Sequence, residues 1–489
     1  MEYEKITKNK SVLLLLIPAI LAFFVAIIPT LKYQWPLSWD IYYHVHLAKL
    51  YLEQGLTLWD PLTYAPFGRP IFYPPLFHYI LAAFTALFKV DPFQIARYLQ
   101  PIFAFFLVLS FTYVAWKFYN LRVALLAGFF LFFTSVFHRA MLPLPETLAL
   151  ILFPIAVYFY YRALEGDGYK LAVLGGIISG LMMLTHNLTG LIMLGVVLLF
   201  TLALKLRKDK VEYRSLGIFL GFTLIVAALW WFPLLIQYGF VFHNPRAVIQ
   251  GPVQYLIILV KTMGAPTLIF TLLWVSFMIM GLKKDDLERW YKKLSRKEIL
   301  IISWTLFLLI LSNAYLLGFS ILIDRILNFA VFPVVLMAAL GLDYIHSFKG
   351  KKSVYDRIYK VIVIILIISA VCSGVFYALS VKPLVNDSQR DLAQCFAHNG
   401  GGSGVVMSLT EGLDPVIVSV SRQPVSTGGY QPGMVKVLDR NLYYSGNFTK
   451  EDVERDKIRY FVEQSPIIHP SYFTLVYQNK DYKVWRVDI

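Results

Sequence analysis

The chain has 489 residues, of which 58% are hydrophobic and only 15% are charged, and its mean hydropathy is +0.62. This composition excludes an ordinary water-soluble domain and indicates a polytopic helical membrane protein. The net charge of +15 is compatible with nucleic-acid binding, but the positions of the basic residues explain it as a topology signal, so we expect no nucleic-acid partner.

Apolar runs of about 20 residues, the length that spans a bilayer as a helix, recur along the chain. The candidate runs are 11–31, 71–88, 97–116, 122–138, 146–162, 170–187, 188–204, 215–238, 253–282, 299–318, 325–346 and 358–381. The first run is too long for the core of a signal peptide and lacks a small-residue cleavage site, so we expect a retained anchor.

The basic residues of the loops predict the topology. If the run 71–88 lies in the membrane interface without crossing, the loops on one side carry 24 Lys and Arg residues and those on the other carry 9. The positive-inside rule then favours eleven crossings, with the amino terminus in the cytoplasm and the carboxyl-terminal region outside. Asp40, Glu146 and Arg325 share the outer side in this topology, so we expect an extracytoplasmic active site.

The carboxyl-terminal residues differ from the rest of the chain in their pattern. Short apolar runs at 405–407, 416–418 and 472–477 alternate with clusters of turn-forming residues, as in the strands of a small mixed α/β domain. We therefore predict a helical membrane domain over 1–382, with a first external loop over 32–96, and a soluble extracytoplasmic α/β domain over 383–489.

Asp40 lies just beyond the first apolar run, nine positions after its last residue, and His44 lies one helical turn later. A carboxylate near hydrocarbon is costly, which favours a functional role, a charged ligand or a proton task among them. The alternative is a solvated carboxylate in an interfacial loop. His44 is close enough along a helix to share a site with Asp40, and its alternative is an ordinary satisfied polar group.

The stretch after Asp40 continues with Tyr64-Ala65-Pro66-Phe67-Gly68-Arg69 and then with Tyr73-Pro74-Pro75-Leu76. This pattern resembles the first external loop of the GT-C membrane glycosyltransferases, most closely that of the catalytic subunit of oligosaccharyltransferase. The resemblance implies an all-α polytopic GT-C fold with interfacial helices. It also implies that Asp40 is catalytic and that Arg69 and Tyr73 bind substrate.

Two further stretches extend the resemblance. The segment 138–146 is similar to the family's second acidic motif, in which Glu146 keeps the last acid and Leu144 stands in place of the first. Asp324-Arg325 is similar to the site of the external arginine that contacts the lipid-linked phosphate. The alternative for Glu146 is a helix amino terminus, where acids are favoured, and that for Arg325 is an ion pair with Asp324 or snorkelling.

Several residues carry roles that stay open between alternatives. The resemblance implies that Asp40 and Glu146 are catalytic or bind a divalent cation such as Mg²⁺ or Mn²⁺, although Leu144 removes one hard oxygen ligand. Many transferases of this fold class need no metal, as the resemblance also implies. His186 and Asn187 begin an outer loop and are expected either to hold the donor headgroup or to form a turn.

The predicted activity is glycosyl transfer from a polyprenyl (dolichyl) phosphate or diphosphate carrier in the membrane to an acceptor on the extracytoplasmic face. The segment 409–413 is similar to the family's acceptor motif but retains only an acid at its third place, Glu411, which predicts an acceptor other than a standard asparagine sequon. The alternatives are a divergent oligosaccharyltransferase that acts on asparagine in proteins and a non-catalytic membrane protein that binds or transports lipid-linked glycan.

Overall fold

The structure is a computed structural model. It describes residues 2–166, 168–239, 251–282, 291–319, 321–347, 353–398, 404–410, 412–429, 435–464 and 470–489. The chain divides into two compact units. The membrane unit comprises 1–32, 98–229 and 244–381, and the loop–tail unit comprises 33–97, 230–243 and 382–489. The predicted domains 1–382 and 383–489 stay a prediction.

Helices dominate the described residues. The α-helices are α1 (Glu2–Lys32), α2 (Asp40–Gln54), α3 (Leu76–Phe88), α4 (Pro92–Phe118), α5 (Leu121–Leu131), α6 (Ser135–Ala140), α7 (Pro145–Leu164), α8 (Tyr169–Met183), α9 (Asn187–Leu206), α10 (Tyr213–Tyr238), α11 (Pro252–Met263), α12 (Ala265–Leu282), α13 (Arg296–Ser312), α14 (Ile323–Ser347), α15 (Ser353–Ser380), α16 (Asp387–His398), α17 (Asp414–Ser421), α18 (Arg440–Tyr444) and α19 (Lys450–Arg455), with a 3-10 turn at Ala314–Leu317. The strands are β1 (Trp59–Asp60), β2 (Arg69–Pro70), β3 (Val405–Ser408), β4 (Ile458–Glu463), β5 (Phe473–Gln478) and β6 (Lys483–Val487).

Seven helices in the described part of the chain are long and apolar enough to cross a membrane, and the bent pair α11–α12 would make eight. The prediction of a polytopic helical membrane protein is therefore confirmed. Helix α3 has only 13 residues, about 20 Å of length against a hydrocarbon core of about 30 Å, which agrees with an interfacial position. The count of eleven crossings and their orientation stay predictions.

The core of the membrane unit is built around α14, of whose apolar window 89% is buried. Aromatic side chains fill the space beside it. The ring of Phe332 in α14 lies 5.1 Å from Phe111 and 6.1 Å from Phe153, and Trp304 lies 5.2 Å from Phe153. Large aromatic residues are preferred here because they bury the most apolar area per residue.

Helices α11 and α12 meet at an angle of 97°. Gly264 separates them with a φ of +77°, a left-handed conformation that only glycine adopts at little cost. A Cβ at this position would also overlap the carbonyl oxygen of Phe133. The bend therefore depends on glycine for two independent reasons.

The tail of the loop–tail unit contains a four-stranded sheet in the order β3-β4-β6-β5. Strands β3 and β4 are parallel, whereas β4, β6 and β5 pair in antiparallel fashion. Aromatic side chains, among them Phe461 and Phe473 with ring centroids 5.1 Å apart, pack beneath the sheet. The expected small α/β region is present.

One predicted strand is wrong. The run 416–418 lies inside helix α17, and its three side chains are buried. Pro415 stands in the first turn of this helix, where its missing N–H costs no hydrogen bond. A short, fully buried apolar run fits a helix as well as a strand, so periodicity alone misassigned it.

Candidate functional site

Asp40 is the first residue of α2, and its carboxylate is exposed. Its backbone N–H donates to Ser38 Oγ over 3.2 Å, which fixes the start of the helix. A carboxylate in the first turn is stabilised by the helix dipole and stays available to solvent. The position therefore suits a group that accepts a proton from a bound acceptor.

The residue before Asp40 contacts the tail. The indole Nε1–H of Trp39 donates to the carbonyl oxygen of Gly412 over 2.7 Å. Gly412 has a φ of +77° and lies in the 409–413 segment that resembles the acceptor motif. Glu411, the acid of that segment, lies outside the described residues. Within the loop–tail unit, the segment 409–413 thus contacts Trp39, the residue that precedes Asp40.

His44 is paired with His78, with its Nδ1 2.9 Å from His78 Nε2. Both rings are buried, and burial lowers the pKa of His78 to about 3. The Tyr73 ring lies 4.9 Å from the His44 ring and 5.6 Å from that of His78. The structure brings His44 and Tyr73 together, and this packing favours a satisfied polar group for His44. The substrate-binding roles stay predictions.

Arg69 is almost fully enclosed, with 1% of its surface exposed. Its guanidinium carbon lies 4.9 Å from the Tyr64 ring and 5.1 Å from the Tyr43 ring, and its Nε lies 3.7 Å from Asp60 Oδ2. A buried cation needs such compensation from an acid and from aromatic faces. These contacts describe a structural cation, and substrate binding by Arg69 stays a prediction.

Asp60 is fully buried and was not singled out from the sequence. Its Oδ2 accepts hydrogen bonds from His46 Nε2 over 2.9 Å and from Thr63 Oγ1 over 2.5 Å. Burial opposes ionisation of Asp60, but His46, Arg69 and Thr63 outweigh it and hold the pKa of this carboxyl below its ordinary range. The only signal in the sequence is an acid shortly before Arg69, which spacing alone does not pair with His46.

The other face of His46 meets the tail. Arg422 Nη1 donates to His46 Nδ1 over 2.7 Å, while Nε and Nη2 of Arg422 bind the two carboxylate oxygens of Glu53 over 2.8 and 2.6 Å. Nδ1 must then be the acceptor, so His46 is neutral and carries its proton on Nε2, facing Asp60. Burial lowers the pKa of His46, which agrees with this neutral form.

A second cluster lies in the membrane unit. Glu146, in the first turn of α7, forms an ion pair with Arg139 of α6. Glu146 is 4% exposed, and its Oε1 has no hydrogen-bond partner among the described residues. His186 and Arg325 also act electrostatically on Glu146. The structure therefore brings three predicted site residues together and adds Arg139, which the sequence analysis missed.

His186 and Asn187 begin helix α9. His186 occupies the N-cap position, and its Nδ1 lies 2.8 Å from Thr189 Oγ1. The Oδ1 atom of Asn187 is buried and has no hydrogen-bond partner among the described residues. A buried, unsatisfied amide oxygen has a capacity for a donor group that this part of the chain does not use.

The two arginines around one acid give this cluster an excess of positive charge. Guanidinium groups bind phosphate oxygens through paired, charge-assisted hydrogen bonds. The arrangement is suited to an anionic group presented from the membrane.

A divalent cation was predicted with Asp40 and Glu146 as ligands. These two residues belong to different units. In the described part of the chain, no group of three or more His, Cys, Asp or Glu side chains is placed to hold a metal ion. Glu146 is moreover neutralised by Arg139. The described residues do not fit a cation caged by three such side chains, and the metal role of Asp40 and Glu146 stays a prediction.

Comparisons with known proteins agree with the fold. Residues 73–231 match the family described as dolichyl-phosphate-mannose-protein mannosyltransferase. This match covers less than half of the chain. No curated protein sequence matches the chain significantly.

Solved structures match over almost the whole chain. The apo oligosaccharyltransferase of Archaeoglobus fulgidus is similar with a TM-score of 0.70 and 13% identity, over 93% of this chain and 69% of that one. A second crystal structure of that protein, in complex with zinc and sulfate, has a TM-score of 0.69 and 13% identity, over 91% of this chain and 67% of that one. ArnT from Cupriavidus metallidurans, bound to undecaprenyl phosphate, has a TM-score of 0.61 and 12% identity, over 97% of both chains. The predicted GT-C resemblance is confirmed as a shared fold.

Proposed function

We propose that this chain, which has the fold of the GT-C membrane glycosyltransferases, transfers a sugar or glycan from a polyprenyl (dolichyl) phosphate or diphosphate carrier to an acceptor on the extracytoplasmic face. The carrying observation is the cluster of Arg139, Arg325 and His186 around Glu146 in the membrane unit. The ArnT structure bound to undecaprenyl phosphate supports an anionic polyprenyl ligand for this fold.

The reaction needs a base that accepts the acceptor's proton and positive charge that stabilises the departing phosphate. The acceptor heteroatom forms a bond to the anomeric carbon of the sugar while the bond from that carbon to the phosphate oxygen breaks. Asp40, exposed at the start of α2, accepts the proton that the acceptor loses. Arg325 and Arg139 stabilise the negative charge that develops on the departing phosphate. The carrier phosphate leaves with the electron pair.

In this scheme, the role of Glu146 is to orient a neighbouring residue. Its carboxylate holds the Arg139 guanidinium through their ion pair. An arginine fixed in this way loses less freedom when it binds a phosphate, because its orientation is already set. Glu146 is thus proposed as a positioning residue for the phosphate site.

The acceptor distinguishes the alternatives. A divergent oligosaccharyltransferase would glycosylate an asparagine peptide, and the fold shared with the Archaeoglobus fulgidus protein supports testing this substrate. A non-catalytic binder of lipid-linked glycan would retain the donor without turnover. The buried Leu144, in place of an acid, is the observation that favours this second alternative.

The test incubates purified protein with radiolabelled polyprenyl-phosphate and -diphosphate sugars and with membrane, peptide and glycan acceptors. We expect transfer by the wild type and a fall of about 100-fold or more for Asp40→Asn, because the general base is lost. Asp91→Asn, another carboxylate of the same loop, should retain activity. Undiminished transfer by Asp40→Asn would exclude Asp40 as the base.

Donor binding is measured separately with the same labelled lipids. Arg325→Ala should raise the donor Kd by about 10- to 100-fold, because a charge-assisted contact to phosphate is removed. Asp324→Asn serves as the matched control, since Asp324 is the exposed neighbour of Arg325. Normal donor affinity in Arg325→Ala would remove the phosphate assignment.

A further inference from the structure

Arg422 of the tail binds two side chains of helix α2. Arg422 contacts two residues of α2, spaced seven positions apart, with three nitrogens: Nη1 faces His46, and Nε and Nη2 form a fork with Glu53. A guanidinium fork that engages a carboxylate through two bonds fixes both distance and orientation. The contact therefore restrains rotation of α2 as well as its position.

Arg422 adopts a conformation that is unfavourable for arginine. It caps helix α17 with a φ of +63°, a position at which glycine is the usual residue. A non-glycine residue in this region costs about 1 kcal/mol or more. Glycine would avoid that cost but has no side chain to reach α2, so the contacts with His46 and Glu53 explain why arginine is accommodated here.

Backbone contacts reinforce the same attachment. Val425 donates to the Leu62 carbonyl over 2.8 Å and accepts from the Ala65 N–H over 3.0 Å. A Cβ at Gly429 would lie 3.1 Å from Tyr43 of α2, so the tail backbone passes close to this helix. Together with the bond from Trp39 to Gly412, the tail segment 412–429 contacts α2 at its start, its middle and its end.

Behind His46 the attachment continues into a buried charged network. His46 Nε2 binds Asp60, and Asp60 is also close to the Arg69 guanidinium. Each of these three residues has at most 1% of its surface exposed. Solvent therefore does not compete for these bonds, and a displacement of α2 would leave buried charges unpaired.

We propose that Arg422 and His46 are positioning residues, through which the tail segment 412–429 fixes helix α2 and thereby the place of Asp40. This inference rests on the proposed function for the role of Asp40. Neither residue touches the reacting atoms. Their loss should reduce the rate of the chemical step by misplacing the base, while donor binding is retained.

The test compares Arg422→Ala, Arg422→Lys and Glu53→Gln in the full-length protein. Arg422→Ala should lower kcat by about 10- to 100-fold with little change in KM for the donor, because a small displacement of a catalytic group is costly. Arg422→Lys should recover part of kcat, since lysine keeps the charge but not the fork. Arg455→Ala removes a tail arginine whose ion pairs in the described part of the chain are with Asp452 and Asp456, and it should leave kcat unchanged.

A second readout needs no enzymatic activity. Amide hydrogen exchange of α2 should accelerate in Arg422→Ala and Glu53→Gln, while strand β4 keeps its protection and reports that the tail sheet is folded. If the wild type transfers no sugar, the proposed function fails and this exchange experiment still decides the attachment of α2.

Two results would overturn the inference. The first is unchanged kcat and unchanged exchange of α2 in all three variants. The second is loss of protection in β4 together with α2 in all three variants, which would make Arg422 and Glu53 requirements for folding of the tail. Since Glu53 belongs to α2 and not to the tail, agreement between Glu53→Gln and Arg422→Ala supports positioning.

Discussion

Three ionisable residues of the loop–tail unit are buried or half-buried around one histidine. His46 lies between Asp60 and Arg422, and Asp60 lies between His46 and Arg69. His46 is neutral and links the Arg422 cation to the Asp60 anion, and Arg69 supplies a second cation, so each buried group has a partner of complementary chemistry. A motif-based prediction assigned Arg69 to substrate binding; in the structure its guanidinium lies beside an acid and two tyrosine rings, and the substrate role stays a prediction.

The same network predicts a pH dependence of stability. Burial lowers the pKa of His46 from its ordinary value of 6.5. Below that pH, His46 therefore becomes protonated in the unfolded chain but stays neutral in the folded chain. The groups that face His46 are Asp60, Arg69, Arg422 and His78. The lowered pKa of Asp60 acts in the same direction at more acid pH, because its stabilising ionised form is lost there.

The free energy that protects α2 from exchange should therefore decline from about pH 6.5 downward, by at most about 1.4 kcal/mol per pH unit for one proton. The measurement is hydrogen exchange of α2 between pH 7 and 5.5, corrected for intrinsic rates. His46→Gln should flatten the profile, and His398→Asn, a change at an exposed tail histidine, should not. A flat wild-type profile would contradict the assignment of a neutral His46.

At the level of elements, the sequence predicts the membrane helices better than the tail. Runs such as 97–116 and 358–381 correspond to α4 and α15, because long apolar segments have few alternatives to a helix. The run 416–418 forms a helix and not a strand. This helix packs against α2, a neighbour that is remote in sequence, so the local pattern does not reveal the contact. Short buried elements obtain their conformation from partners that periodicity does not reveal.

The bend between α11 and α12 gives a prediction for this level. Gly264→Ala should destabilise the membrane unit by about 2 kcal/mol or more, because alanine is strained at a φ of +77° and its Cβ meets Phe133. The measurement is thermal denaturation in detergent. Gly217→Ala is the matched control: Gly217 lies within α10 with open space around it, and alanine there should be neutral or slightly stabilising.

For the whole molecule, composition and apolar runs were sufficient to predict the membrane fold, and the comparisons confirm it. The site was predictable only in part. Glu146, His186 and Arg325 were found from motifs and do lie together. Arg139, Asp60 and Arg422 were missed because their roles arise from tertiary contacts, with partners such as His46 located 376 positions away from Arg422.

The predicted topology can be checked by cysteine labelling. Ser445→Cys in the tail and Glu212→Cys in the loop between α9 and α10 are introduced into a chain whose Cys372 and Cys395 are replaced by serine; both introduced positions are exposed. A membrane-impermeant maleimide should label Ser445→Cys in intact cells and Glu212→Cys only after permeabilisation, because the basic loops are expected inside. The opposite pattern would reverse the topology.

The ion pair between Arg139 and Glu146 has a consequence for biogenesis. An isolated arginine at the centre of a helix that enters the bilayer from the translocon costs about 3 kcal/mol. These two residues are seven positions apart on consecutive helices, so they meet across the short turn between α6 and α7. The two charges are thus expected to neutralise each other as α7 enters the bilayer, which lowers the cost of delivering an arginine to the bilayer boundary before any lipid substrate is present.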